Sequence, residues 1–593
     1  MKKRFVSLMS LCLAVLVTVG GVVGCGGGEV IEQIDATKTQ IFVNHYDGGV
    51  GHEWLDSSDP NRKGIKQKFE ELYKDYKGEN GKVGVQIIVN NHKSDGNTVY
   101  NQLKDTTEDV FFTSQSKFFD MVSNNLVMNI TDVVTTANDD GKTIESKFTA
   151  EQKAYYKVSG NYYALPNYES FFGLNYNVNI FNEKYFFFEK GGAPSEFCAF
   201  VQENNDDACT GTFSGYSFTN LDGELSAGPD GLYGTYDDGQ AATYDEFFVL
   251  CDWMVEQGVV PFIWSGGMAG SYLNGLLSAM RSSYEGRDQL RLAYDFDGWE
   301  GFEPIATNLV KLDAQGNPIV NADRTVQLRE PTAISNANGY EMFSSAGYYY
   351  GADFLSRILS KSAYYSSNAT NAHGHTDAQI DFVLSEFDTS YSKDKKRIAM
   401  LIEGNYWENE ARDYGTFDRL SDYGKTVNDV SYGRLAFPKV SVSEIGKKNT
   451  IAESQQNVAF ISSNVSSNKI DIVKKFLKFC YTDDNLAEFT AVTGVTRSLN
   501  YEIGSDKVSR LTPFAKSFLE VRENSELVYM VSDNTIYRVG QSALVGNLFA
   551  TDEYTWAARQ MLDTGANASQ ILKGIIRKNS QSSWNSSYGS YFS

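Results

Sequence analysis

Residues 39–89 read TQIFVNHYDGGVGHEWLDSSDPNRKGIKQKFEELYKDYKGENGKVGVQIIV. Ile41-Phe42-Val43 is a short apolar run of the kind that forms a buried strand, and it opens into the loop Asp47-Gly48-Gly49-Val50-Gly51. Ile65, Phe69, Leu72, Tyr73 and Tyr76 then recur at helical spacing, with Lys and Glu between them. Gly78 to Gly81 stops that helix, and Val83, Val85, Ile87 and Val89 alternate as strand residues do. Strand, helix, strand is the opening of a parallel α/β layout.

The same signals recur downstream. Val110-Phe111-Phe112, Ile398 to Ile402, Leu435-Ala436-Phe437-Pro438 and Val458 to Ile461 read as further strands. Ser466-Ser467-Asn468 is the expected cap of a helix with Ile470, Val473, Leu477 and Cys480 on one face. The last helix carries Ala568, Ile571, Leu572 and Ile575, and the Ser/Asn/Tyr-rich tail from Asn579 is expected to fray. Two inserts interrupt this order, near 198–240 and 310–375; the second contains a hairpin turning at Gly316-Asn317-Pro318.

The amino terminus is of another kind. Lys2, Lys3 and Arg4 precede the apolar run Val6 to Gly20, which is too short and too early to be a membrane span. Val22-Val23-Gly24-Cys25 resembles a bacterial lipobox, in which the cysteine is acylated, and Gly26-Gly27-Gly28 follows as a flexible spacer. The reading is a lipoprotein signal peptide over 1–24 and a tether over 25–38. The chain carries a net charge of −22, which argues against nucleic acid or anionic lipid as partners. Cys198 and Cys209 either close one short loop in an oxidising compartment or remain unpaired small hydrophobes.

The order of these pieces resembles the family 1 extracellular solute-binding proteins, the maltose-binding-protein group. Asp109-Val110-Phe111-Phe112 with Asn129-Ile130-Thr131, then Tyr163-Ala164-Leu165-Pro166 with Leu174-Asn175-Tyr176-Asn177, carry the resemblance. Ala399 to Trp407 and Gln456 to Gly494 complete it. The resemblance implies a two-lobed α/β periplasmic-binding-protein fold of type II, with hinge-linked lobes and a ligand cleft. Lobe 1 would take 39–165 and 456–510, lobe 2 166–455, and the helices of 511–593 would lie mainly on lobe 2. It also implies a carbohydrate ligand, ABC permease subunits as membrane partners, a lipid anchor as the only membrane contact, a monomer, and no catalysis. This chain is longer than most members, and two residues instead of one separate Gly404 from Trp407, which puts Tyr406 at the family's tryptophan position.

Sugars need flat aromatic platforms with planar polar groups at their edges, on loops where glycine lets backbone approach. Trp407, Tyr406, Trp264, Trp54 and Trp299 are the candidate platforms, each against the alternative of a core role. Tyr168 faces either cleft or hinge. His52, Asp47, Gln115, Lys117 and Glu169 are the candidate polar partners. In DGELSAGPDGLYGTYDDG, residues 222–239, Asp222, Asp230, Asp237 and Asp238 are set among glycines as in a structural calcium loop, or else form an acidic solvated loop. His373 and His375 are a further metal candidate or simply surface residues. No nucleophile, zinc or phosphate-binding motif stands out, and no cofactor is expected beyond that calcium ion.

Overall fold

A computed structural model describes residues 33–46, 50–92, 96–114, 117–138, 141–191, 209–221, 223–454, 456–540 and 556–592. Eleven strands carry the argument: β1 (Thr39–Tyr46), β2 (Val85–His92), β3 (Val110–Ser114), β4 (Leu165–Pro166), β5 (Phe172–Asn177), β6 (Val260–Ile263), β7 (Ile398–Gly404), β8 (Tyr432–Arg434), β9 (Asn449–Ala452), β10 (Asn457–Ile461) and β11 (Ser525–Val528). Lobe 1 is built on a five-stranded sheet in the order β2-β1-β3-β10-β4. Strand β1 runs parallel to both neighbours, whereas β10 returns antiparallel to β3. Lobe 2 is built on a four-stranded sheet in the order β6-β7-β5-β8, with β7 antiparallel to β5.

The opening pattern holds with small shifts. The helix spans Ile65–Leu72, and Ile65 and Phe69 are buried while Leu72 is exposed. The second strand starts at Val85, two residues later than the alternation suggests, because Val83 pairs back with Lys77 in a turn. Strand β7 is buried at all seven positions, the mark of a central strand covered on both faces. Strand β8 lies one step before the expected run, ending at Arg434, and the helix Ile470–Cys480 begins after Lys469 with no side-chain cap.

Two stretches expected to be irregular are ordered by packing. The first insert contains the antiparallel pair Cys209–Phe213 and Tyr216–Thr219, joined to Phe187–Phe188 in a small sheet. The tail forms a helix, Gln581–Tyr588, because Trp584 is driven into a slot beside Phe296, with ring centroids 5.1 Å apart, and donates its Nε1–H to Asn336 O at 2.9 Å. Burial of one indole offsets the weak helix propensity of its serine and asparagine neighbours. No helix among the described residues is long and apolar enough to cross a membrane. Cys25, Cys198, Asp47, Gln115 and Asp222 lie outside the described residues, as does the side chain of Cys209.

The chain passes from lobe 1 to lobe 2 between Pro166 and Phe172 and returns between Ala452 and Asn457. Glu169 sits in the first passage with no solvent exposure. Its carboxylate accepts two bonds from Arg522, from Nε at 2.7 Å and Nη2 at 2.6 Å, one from the Tyr529 hydroxyl at 2.5 Å, and one from the Thr496 hydroxyl. The expectation that Glu169 meets ligand is corrected here. A buried carboxylate is tolerable only when its lone pairs are filled, and here chain segments far apart in sequence fill them.

Candidate functional site

Both sheets turn an edge toward the crossing segments. In lobe 1, Ser114 at the end of β3 pairs with Asn457, the first residue after the return passage. In lobe 2, Gly404 at the end of β7 pairs with Phe172, the first strand residue after the outward passage. The ends of β3 and β7 thus stand beside the passages between the lobes.

Tyr406 follows Gly404 and precedes the helix Trp407–Asp413. Its ring is half-buried and lies against the Gly404 backbone so closely that a Cβ at 404 would be 2.2 Å from it. Glycine is required at 404 for that reason, not for an unusual dihedral. Asn405, between them, locks the turn to the hinge: its amide N–H donates to Phe171 O at 3.0 Å, and its Oδ1 accepts from the Phe171 N–H at 2.8 Å. Half-exposed Phe172 packs edge-on to Tyr272, centroids 5.5 Å apart, at the start of the long helix Ala269–Asp295. From lobe 1, half-buried His52 stands 6.2 Å from His45 and within electrostatic reach of Asp413 at the end of the lobe 2 helix.

Behind Tyr406 lies a buried polar layer that sequence reasoning missed. Glu403 is fully buried, and burial pushes its carboxyl up to about 8, against the opposing pull of the Gly404 N–H, the Tyr272 hydroxyl, the Gln379 amide and Arg434. The group is therefore mainly protonated at neutral pH. Burial likewise pulls the Arg434 guanidinium down to about 9, while nearby Tyr406 and Glu403 hold it up. Arg434 donates to Asn175 Oδ1 at 2.8 Å, Phe171 O at 3.0 Å and Glu403 O at 3.2 Å. Gly173 makes room for it, since a Cβ there would lie 2.2 Å from the guanidinium. The signal for Glu403 was present in the sequence as a lone acid closing an apolar strand.

Four tryptophans expected as platforms are committed elsewhere. Trp407 has no exposure and is boxed by Tyr432, Phe514 and Phe382, with centroids at 5.1, 5.4 and 5.6 Å. Trp264 is equally buried against Tyr365 at 5.1 Å. Trp54 lies in the lobe 1 core, where its Nε1–H donates to Asn485 O at 3.0 Å and the Arg497 guanidinium stands 4.6 Å from its ring. Trp299 is stacked on Phe302 at 4.2 Å, and Arg291 caps it at 4.1 Å. Tyr168 is a buried hinge residue whose carbonyl accepts from Asn457. Lys117 lies over the Tyr100 ring, 5.3 Å from its centroid.

The acidic loop spends its carboxylates on itself. Asp237 is fully buried and accepts from the Asp230 N–H at 3.0 Å and the Thr235 hydroxyl at 2.9 Å. Asp238 accepts from the Gly234 N–H at 2.7 Å, and Asp230 from the Leu232 N–H at 2.7 Å. Among the described residues no three His, Cys, Asp or Glu side chains are grouped to hold a metal ion. His373 faces Asp381 at 2.9 Å, while His375 packs edge-on to Tyr414 with centroids 5.9 Å apart, so the two rings do not form a chelating pair.

Neither a family model nor a curated protein sequence matches the chain. Solved structures do match. A chitin oligosaccharide binding protein superposes with a TM-score of 0.51 at 12% identity, covering 93% of this chain and 100% of its own. The bacterial solute receptor AcbH, described as having an exclusive preference for β-D-galactopyranose, does so with a TM-score of 0.51 at 13% identity, over 94% of this chain and 100% of its own. The chain has the two-lobed α/β fold of these solute-binding proteins.

Two outcomes follow from this geometry. Trp407→Ala empties a fully enclosed site and should cost about 3–5 kcal/mol in urea unfolding; a loss below about 1 kcal/mol would contradict its placement in the core. The Glu403 carboxyl, ordinarily at 4.5, titrates near 8 when folded. Between those values the folded state keeps a proton that the unfolded chain has released, so this group makes stability fall as pH rises through that window and level off above it. Glu403→Gln keeps a neutral side chain at all pH values and should flatten that slope in melts at pH 5, 6.5 and 8; an unchanged slope would rule the buried proton out.

Proposed function

We propose that this protein is an extracytoplasmic receptor that captures a carbohydrate between its lobes and delivers it, unaltered, to the permease subunits of an ABC importer. The observation that carries this reading is the half-exposed Tyr406 ring set against Gly404 at the cleft end of β7, in a fold whose lobes meet at a hinge. A sugar's C–H face needs a fixed aromatic plane, and Asn405 fixes this one by tying its turn to the crossing segment. The Tyr272–Phe172 pair supplies a second aromatic wall nearby. Two solved structures of the same fold are described as binding a chitin oligosaccharide and β-D-galactopyranose, which favours a sugar over a peptide as ligand. Cys25, following a signal-peptide-like segment and preceding three glycines, is the proposed lipid attachment point, with the protein acting as a monomer.

Calorimetry against a panel of chito-, gluco- and galacto-oligosaccharides tests the reading. At least one should bind and be recovered intact. Tyr406→Ala should weaken that ligand by about 1–3 kcal/mol, the range of a lost stacking face, with little change in melting. A panel with no binder, or a Tyr406→Ala protein of unchanged affinity, counts against it. Cys25→Ser should move the protein from the membrane to the soluble fraction or leave its precursor unprocessed; normal processing with unchanged fractionation would remove the anchor from the proposal.

A further inference from the structure

The helix Ala269–Asp295 is bent at Gly286, whose φ of 74° and ψ of 165° interrupt its helical geometry. That region of backbone space is open essentially to glycine alone. Nothing lies within 4 Å of where a Cβ would stand, so the position needs glycine for its dihedrals and not for room. Before the bend the helix belongs to lobe 2. Gly275 lies so close to Phe172 of β5 that a Cβ there would be 2.7 Å from the ring. Around the bend it runs beside the strands that border the return passage: Ser283 donates to Asn449 of β9 at 2.9 Å, and the Arg287 N–H to Glu526 of β11 at 3.2 Å.

Beyond the bend, Arg287 and Arg291 are four residues apart and share a face. Both reach the same oxygen of lobe 1. Arg287 Nη2 donates to Glu151 Oε1 at 3.0 Å, and Arg291 Nη1 does so at 2.8 Å. Glu151 stands in the first turn of the helix Ala150–Tyr156. That helix is seated in lobe 1 by Tyr155 against Phe118, centroids 5.3 Å apart, and by the Gln152 amide, which donates to Ser498 O at 2.7 Å. Arg291 also donates from Nε to Asp295 at 2.8 Å. Two guanidiniums thus face two carboxylates, and Glu151 is the member that lobe 1 supplies. Burial pushes the Glu151 carboxyl up, but its own N–H, the Thr149 hydroxyl and the two arginines more than reverse this and hold it below its ordinary value. Well-exposed ion pairs contribute little. The Glu151 and Arg291 side chains are only 15% and 17% exposed, against 51% for Arg287, which makes the Arg291 arm the stronger.

We propose that Glu151, gripped by Arg287 and Arg291, is an ionic clamp between the lobes that holds them in the relation the structure shows and sets how readily they part. A motion that draws the two helices apart must break both bonds and leave two guanidiniums facing one carboxylate. Tyr294 and Tyr155 also meet through Tyr537, with centroids 5.7 and 6.1 Å apart, but that contact is apolar and salt does not screen it. The clamp therefore gives the lobe arrangement its sensitivity to ionic strength. It does not depend on which solute the protein carries.

Small-angle X-ray scattering of the solute-free protein reads the separation of the lobes. Glu151→Gln keeps the shape of the side chain and removes its charge; it should raise the radius of gyration at low salt. Arg287→Gln, which removes the exposed arm alone, should raise it less. The unmodified protein in 1 M NaCl should move toward the Glu151→Gln value, while Glu151→Gln itself should hardly respond to salt, because its clamp is already open. Thermal melts of each variant establish that it is folded. An unchanged radius of gyration in folded Glu151→Gln, or an equal response to salt with and without Glu151, would each overturn the proposal.

Discussion

The buried carboxylate of Glu169 is the interaction on which the two-lobed arrangement depends. Its partners come from separate parts of the chain: Thr496 from the return through lobe 1, Arg522 and Tyr529 from the carboxy-terminal segment. None of these could be satisfied by local structure alone. Taking a carboxylate out of water costs several kcal/mol, and removing one partner of such a pair typically costs about 3–5 kcal/mol. The net gain in stability over an apolar replacement is small. What the pair enforces is arrangement, because the charges are compensated only when the crossing segments stand in this one relation.

That constraint passes into lobe 2 through backbone. Phe171 and Asn405 exchange a reciprocal pair of bonds, so the turn after β7 is tied to the same segment that Glu169 anchors. Arg434 reaches Phe171 O from β8 and holds β5 and β7 beside it. Burial depresses its guanidinium, and the neighbouring Tyr406 and Glu403 pull the other way without offsetting it. The Tyr406 ring rests on this layer. Its position is set by hinge chemistry on one side and by the absence of a side chain at Gly404 on the other.

The parts of the fold that rest on periodicity were legible. Strands β1 and β2, the helix between them and the fully buried β7 follow from apolar spacing that any sheet would need. Less legible were features decided by one long-range contact. The Ser/Asn-rich tail lacks a helical composition, yet Trp584 finds Phe296, nearly three hundred residues earlier, and orders it. The acidic loop is hard to read for a different reason: aspartates alternating with glycines suit a cation and suit turns capped by their own N–H groups equally well. In the fold, Asp237 and Asp238 accept from N–H groups of the loop itself.

The proposed aromatic platform turns on a single step along the chain. Tyr406 precedes the first turn of its helix and Trp407 begins it, so their side chains leave the backbone in different directions. At Trp407 that direction leads into the cage of Tyr432, Phe514 and Phe382, where a large ring contributes most to stability. At Tyr406 it leads back over the Gly404 backbone, and the ring stays half-buried. Size alone would choose the tryptophan as the sugar platform. The core competes for the same large ring, and burying an indole completely removes more apolar surface from water than any partly exposed cleft position can. The ring left half-buried is therefore the amphipathic one, whose phenol hydroxyl tolerates water.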